Sequence, residues 1–126
     1  MKLVVLLAVV AVAVAVPRPD DHYDSNFENI NLDEILENEK LLLAYTNCFL
    51  GTGNCTPLGT DIKKLMPEAT QTSCAKCTDK QKVMVAKSIK TIQVKLPKKF
   101  EALMKQNDPE LKRQDELKKF LDKYSA

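Results

Sequence analysis

The side chains with the most distinctive chemistry are four cysteines, Cys48, Cys55, Cys74 and Cys77, and one histidine, His22. Four cysteines in a short chain serve disulfides, a thiolate zinc site or thiol–disulfide exchange, and the compartment decides among them. Cys48 and Cys55 lie seven positions apart, which along a continuous helix is about 10.5 Å, whereas a disulfide spans no more than about 7 Å between Cα atoms. They can pair only where a helix ends between them, and Gly51 and Gly53 stand there to turn the chain back. Cys74 and Cys77 are near enough for a short bridge stapling the first turn of a helix. Spacing alone leaves all three pairings open. A C-x2-C pair also fits zinc or redox chemistry, but the redox motif wants a strand–helix context that this sequence lacks. No metal or cofactor is assigned. His22 lies among Asp20, Asp21, Tyr23 and Asp24, outside any expected pocket, and no glycine-rich phosphate loop or nucleophile motif accompanies it. The sequence does not read as an enzyme.

The N-terminus supplies the compartment. Met1-Lys2 is followed by fourteen apolar residues, Leu3 to Val16, with a small-x-small pattern at Ala13-Val14-Ala15. This predicts a signal peptide over residues 1–15, cleaved after Ala15, and an extracellular, oxidising destination in which the cysteines form disulfides. The apolar run is shorter than the roughly 20 residues that cross a bilayer, so no stable membrane insertion is expected. With 126 residues the chain has room for one domain. Its net charge of +2 lacks the concentrated basic surface that nucleic acid requires. Residues 16–47 carry eight acids and two bases, while residues 48–126 carry nine acids and sixteen bases, so the two parts should attract each other.

The elements that must position the cysteines read as helices. Apolar residues return at three- and four-residue spacing, and alternating strand patterns are absent, so the expected fold class is all-α, a compact domain of six helices. Residues 16–28 are acidic and aperiodic and read as a loosely attached arm, leaving residues 29–126 as the helical domain. Asn31 caps a short helix carrying Ile35 and Leu36, and Asn38 opens one through Leu42, Tyr45, Cys48 and Phe49 that Gly51 stops. Thr56-Pro57 starts a helix burying Ile62, Leu65 and Met66, which Pro67 should end or kink. Thr78 with Gln81 makes a capping box before the stripe Val85, Ile89, Ile92 and Leu96, with Lys82, Lys87 and Lys90 turned away. Pro97 begins a helix through Phe100, Leu103 and Met104. Asp108-Pro109 begins the last, with Leu117, Phe120, Leu121 and Tyr124 inward. Each of these apolar positions would also serve as plain core.

The spacing C-x6-C-x18-C-x2-C resembles the cysteine signature of the insect chemosensory proteins, the OS-D type. Phe27-Glu28-Asn29-Ile30-Asn31-Leu32-Asp33-Glu34-Ile35-Leu36 is similar to that family's Y-D-N-I-N-L-D-E-I-L, Asn38-Glu39-Lys40-Leu41-Leu42 to N-x-R/K-L-L, Cys55-Thr56-Pro57-x-Gly59 to C-T-P-x-G, and Leu65-Met66-Pro67-Glu68-Ala69 to V-L-P-D-A. The likeness covers about residues 27 to 110. It implies bridges Cys48–Cys55 and Cys74–Cys77, six helices around an apolar channel, and a secreted monomeric carrier of small hydrophobic ligands: long-chain fatty acids, alcohols, esters or pheromone-like molecules. The implied ligand-contacting set is Ile35, Leu42, Tyr45, Phe49, Leu65, Val85, Ile89, Ile92, Phe100 and Met104. Tyr45 falls on the family's tyrosine at the channel mouth, and Phe100 where it usually has a tryptophan. Phe27-Glu28 replaces Tyr-Asp, Thr70 stands for a common leucine, and the tail lacks the G-x-Y-R-K-K-Y-like run. The alternative is a secreted structural, developmental or signalling partner protein.

Overall fold

The structure, a computed structural model, describes residues 22–125. The expected signal peptide, residues 1–15, and the first part of the acidic arm lie outside the described residues. After a 3-10 turn at Ser25–Asn29 come six α-helices: α1 Leu32–Glu37, α2 Glu39–Leu50, α3 Pro57–Thr72, α4 Asp79–Lys95, α5 Pro97–Asn107 and α6 Gln114–Tyr124. Among the described residues there is no strand, and the fold is all-α.

Local chemistry sets most helix starts. The side chains of Asn31, Asn38 and Thr56 accept hydrogen bonds from the first free N–H groups of α1, α2 and α3, and Thr78 and Gln81 cap α4 reciprocally. Gly51 takes φ 80° and donates its N–H to the carbonyls of Asn47 and Cys48, ending α2. The chain can then reverse, and Cys48 and Cys55 form a disulfide with Cα atoms 4.9 Å apart. Gly59 lies so close that a Cβ there would sit 3.0 Å from Cys48 Sγ, which lets α3 pack directly on the bridge. The second disulfide joins Cys74 and Cys77. It closes the turn ahead of α4, where Ser73 and Cys74 take φ of 54° and 64°, rather than stapling the first helical turn.

Two expectations are corrected and one is narrowed. Of the two outcomes expected at Pro67, an end to the helix is excluded, since α3 runs on to Thr72. Pro67 is exposed, so the Lys63 carbonyl that lacks its usual donor can be hydrated, and Ala69 beyond it packs on the core. Asp108-Pro109 does not start α6. Asp108 instead accepts from the N–H groups of Lys112 and Arg113 across a turn that contains Leu111 at φ 54°, and the helix begins at Gln114. The described part of the acidic arm is docked rather than loose. Tyr23 N–H donates to the Lys76 carbonyl at 2.8 Å, Gln81 Nε2 to the Asp24 carbonyl at 2.8 Å, and Thr78 Oγ1 to Glu28 at 2.9 Å. The expected attraction between acidic and basic parts appears in the Asp33–Lys87 ion pair joining α1 to α4. Lys87 and Lys90 are exposed as expected, but Lys82 lies over the Tyr124 ring, 5.7 Å from its centroid.

The core is divided. One cluster gathers Cys74, Cys77, Ala86, Phe120 and Leu121, with Tyr23, Ala69, Val85 and Leu117 packed against it. The other gathers Leu36, Leu42, Ile92 and Leu103, with Phe49, Met66, Leu96 and Phe100 around it. Helices α3 and α4 contribute to both, so they fix the spacing between the two halves.

Candidate functional site

A cavity of about 280 Å³ lies against both clusters. The sequence-predicted residues come to its wall from five helices: Ile35 on α1, Leu42, Tyr45 and Phe49 on α2, Leu65 on α3, Val85, Ile89 and Ile92 on α4, and Phe100 and Met104 on α5. Leu42 and Ile92 are buried, whereas the other eight keep part of their surface accessible even though they point inward. Tyr45 and Phe49, one turn apart on α2, place their ring centroids 6.2 Å apart.

Several wall residues fell outside the predicted set. Leu58, Ile62 and Met66 join Leu65 along one face of α3, and the 58-62-65-66-69 spacing of apolar residues was the signal that would have assigned them. Phe27 and Ile30 come from the segment before α1, where no periodicity marked them. Arg113 came with no apolar pattern at all.

Polar side chains on the wall are mostly turned to partners within the protein. Thr46 Oγ1 donates to the Leu42 carbonyl at 2.7 Å and Ser88 Oγ to the Met84 carbonyl at 2.8 Å, so both hydroxyls are occupied by their own helices. Asn107 Nδ2 donates to the Leu103 carbonyl at 2.9 Å. Arg113 Nη2 donates to Ser73 Oγ at 3.0 Å, and Arg113 Nε is buried without a partner. Tyr23, which also borders the cavity, donates its hydroxyl to Glu68 at 2.8 Å. Burial, then the Glu68 bond and charge, push the Tyr23 pKa up to about 12, and the same bond, aided by Lys76, holds the Glu68 carboxyl below its ordinary value. Among the described residues no group of three or more His, Cys, Asp or Glu could hold a metal, and no helix is long and apolar enough to cross a membrane.

Comparison with known proteins agrees with this arrangement. The chain is 44% identical over 88 residues to a Drosophila melanogaster protein that carries the A10 name, spanning 70% of this chain and 57% of that longer relative. It is 34% identical over 105 residues to ejaculatory bulb-specific protein 3 of Drosophila melanogaster, covering 83% of each. A chemosensory protein solved in complex with bromo-dodecanol superposes with a TM-score of 0.70 at 34% identity, over 80% of this chain and 98% of the other. The sequence pattern of the insect pheromone-binding family, A10/OS-D, matches residues 23–115. Six helices, two short-loop disulfides and that match over most of its length place the chain in the A10/OS-D family, the chemosensory proteins.

Proposed function

We propose that this chain is a secreted, monomeric carrier that takes up a small hydrophobic molecule in the cavity between its two core clusters. The observation that carries the reading is the divided core: inward-facing apolar side chains from five helices border about 280 Å³ with part of their surface still accessible. Such a space suits an unbranched chain, because each methylene moved from water to an apolar wall is worth about 0.8 kcal/mol. Ile35, Leu42, Leu65, Val85, Ile89, Ile92 and Met104 would contact that chain, with Tyr45, Phe49 and Phe100 supplying aromatic faces. Met66, Met84 and Met104 border the same space, and their unbranched thioethers adapt to different ligand shapes. A similar protein bound to bromo-dodecanol supports a long-chain alcohol, or a molecule of its shape, as ligand here. Release after cleavage at Ala15 would deliver the carrier to an extracellular fluid.

Native mass spectrometry of the protein recovered from a secreting host tests the proposal, together with displacement of a fluorescent fatty probe by C12–C18 ligands. Co-purified lipid or displacement at micromolar ligand supports a carrier. Failure of every apolar ligand at tens of micromolar would overturn it.

A further inference from the structure

The cavity wall is not apolar throughout. Near the C-terminal ends of α3 and α5 and the start of α6 it is bordered by Thr70, Ser73, Asn107, Asp108, Arg113 and Gln114. Among the described residues Arg113 is the one cationic side chain on the wall. Its Nη2 is held by Ser73 Oγ at 3.0 Å, while its Nε is buried and makes no hydrogen bond. Among the described residues the other buried side-chain polar atom without a partner is Asn47 Oδ1, and Asn47 does not border the cavity.

The surrounding groups do not compensate that charge. Among the described residues Asp108 is the only acid on the wall. Its two carboxylate oxygens accept the N–H groups of Lys112 at 3.0 Å and Arg113 at 2.8 Å, so it is engaged by backbone and forms no ion pair with the guanidinium. Asn107 is likewise occupied, donating to the Leu103 carbonyl and receiving Gln71 Nε2 on its own carbonyl. An N–H without an acceptor is costly, and although Nε is closed off in this packing, the guanidinium borders the cavity, so an anionic acceptor there can take a free Nη–H and draw the side chain round until Nε–H is paired as well. The residue type fits as well. Arg18 and Arg113 are the only arginines in a chain otherwise supplied with lysine, and a guanidinium presents a planar fork that matches a carboxylate, where an ammonium offers a point charge.

We propose that Arg113 is a head-group site, making this cavity selective for hydrophobic ligands that end in a carboxylate over alcohols of equal chain length. The proposal rests on the carrier reading and adds the class of head group and its receptor. The carboxylate meets a free Nη–H, and Nε–H once the side chain has turned toward it, while the hydrocarbon tail lies against the apolar wall.

Dodecanoate and 1-dodecanol share a tail and differ at the head, so their affinity ratio isolates the site. Both are measured near pH 7.5 by displacement of a fluorescent fatty probe, on wild-type protein and on Arg113→Gln and Arg113→Lys. Wild-type protein should prefer dodecanoate. Arg113→Gln should lower the dodecanoate affinity by about ten- to a hundredfold, the range for a hydrogen bond to a charged group, and leave dodecanol within about twofold. Arg113→Lys should keep part of the preference. On wild-type protein the Arg113 Nε–H resonance should shift with dodecanoate and stay in place with dodecanol, a readout that needs no variant to fold. A wild-type ratio near one, equal losses of acid and alcohol in Arg113→Gln, or a silent Nε–H overturns the head-group site while carrier function stands. If neither ligand displaces the probe from wild-type protein, the carrier reading falls and this site with it.

Discussion

Lengthening an alkanol one methylene at a time probes the cavity in the most direct way. A cavity of 280 Å³ has room for about nine or ten groups of the size of a water molecule, whose share of the liquid is about 30 Å³, and a methylene is comparable. Each added methylene that enters should contribute about 0.8 kcal/mol, or about fourfold in affinity. The plot of log affinity against chain length should therefore rise steadily and flatten at about nine or ten carbons, where further carbons remain in water. Ile89→Trp tests the same geometry from the protein side. Ile89 borders the cavity from α4 next to the first core cluster, and an indole there takes up space a ligand would use, so the break should move about two carbons shorter or binding should disappear. Probe displacement by C6–C18 alkanols gives both curves, with circular dichroism to show that helix content is retained. A flat series would mean that the tail never enters. A slope unbroken to eighteen carbons, or a break unmoved by Ile89→Trp in a folded variant, would equally refute the assignment of this cavity.

Other outcomes follow from the local chemistry. Thr78→Ala removes the hydroxyl that both caps α4 and donates to Glu28, and should cost about 1–2 kcal/mol in urea unfolding; a change below a few tenths would show that neither bond contributes. Replacing both cysteines by serine at the 48–55 or 74–77 bridge opens a loop of about eight or four residues, worth about 2.5 or 2 kcal/mol on the chain-entropy view, so each variant should remain folded at room temperature with a lower midpoint. The Tyr23–Glu68 contact should fail at both pH extremes. Glu68, whose folded pKa is lowered, contributes above the ordinary glutamate range and loses that contribution as pH falls through its folded value. Tyr23, raised from 10.0 to about 12, contributes below pH 10 and loses that contribution as pH rises through about 12. Unfolding midpoints of Tyr23→Phe measured against wild type from about pH 2 to 12 should differ most in the middle of the range and draw together toward each end, and a constant offset would remove this contact from the account.

The helices were legible because their signals are local. An asparagine, threonine or proline at a helix start acts on N–H groups two or three residues away, and α1 to α5 begin within a residue of where those signals stand. The start of α6 was misplaced because Asp108 is a capping residue by type, yet its carboxylate reaches four and five residues onward and organises a turn instead. At Pro67 the sequence left two outcomes, and the packing of Ala69 on the far side accompanies continuation of the helix rather than its end. The segment at 23–29 was read as loose because its attachments are hydrogen bonds to Lys76, Thr78 and Gln81, some fifty residues away in the chain, and polar pairing leaves no periodic trace. The ten predicted residues reach one cavity because an inward apolar stripe is a property of each helix alone. What periodicity could not give is the division of the core, since a stripe looks the same whether it meets a neighbour or a space. Arg113 was hidden for the same reason, its position depending on how the ends of three helices converge.

The exposed proline inside α3 has a mechanical meaning. Met66, just before it, packs on one core cluster, and Ala69, just after it, on the other. Helix α3 is one of two struts that cross between the clusters, and at the crossing it lacks one rung of its hydrogen-bond ladder. α4, the second strut, has no proline in its span. Stiffness is therefore unequal on the two sides of the cavity. If the cavity takes a guest as proposed, a bulkier one would be met by flexing α3 about Pro67 while α4 stays straight, so the width of the space would be adjusted at one compliant point.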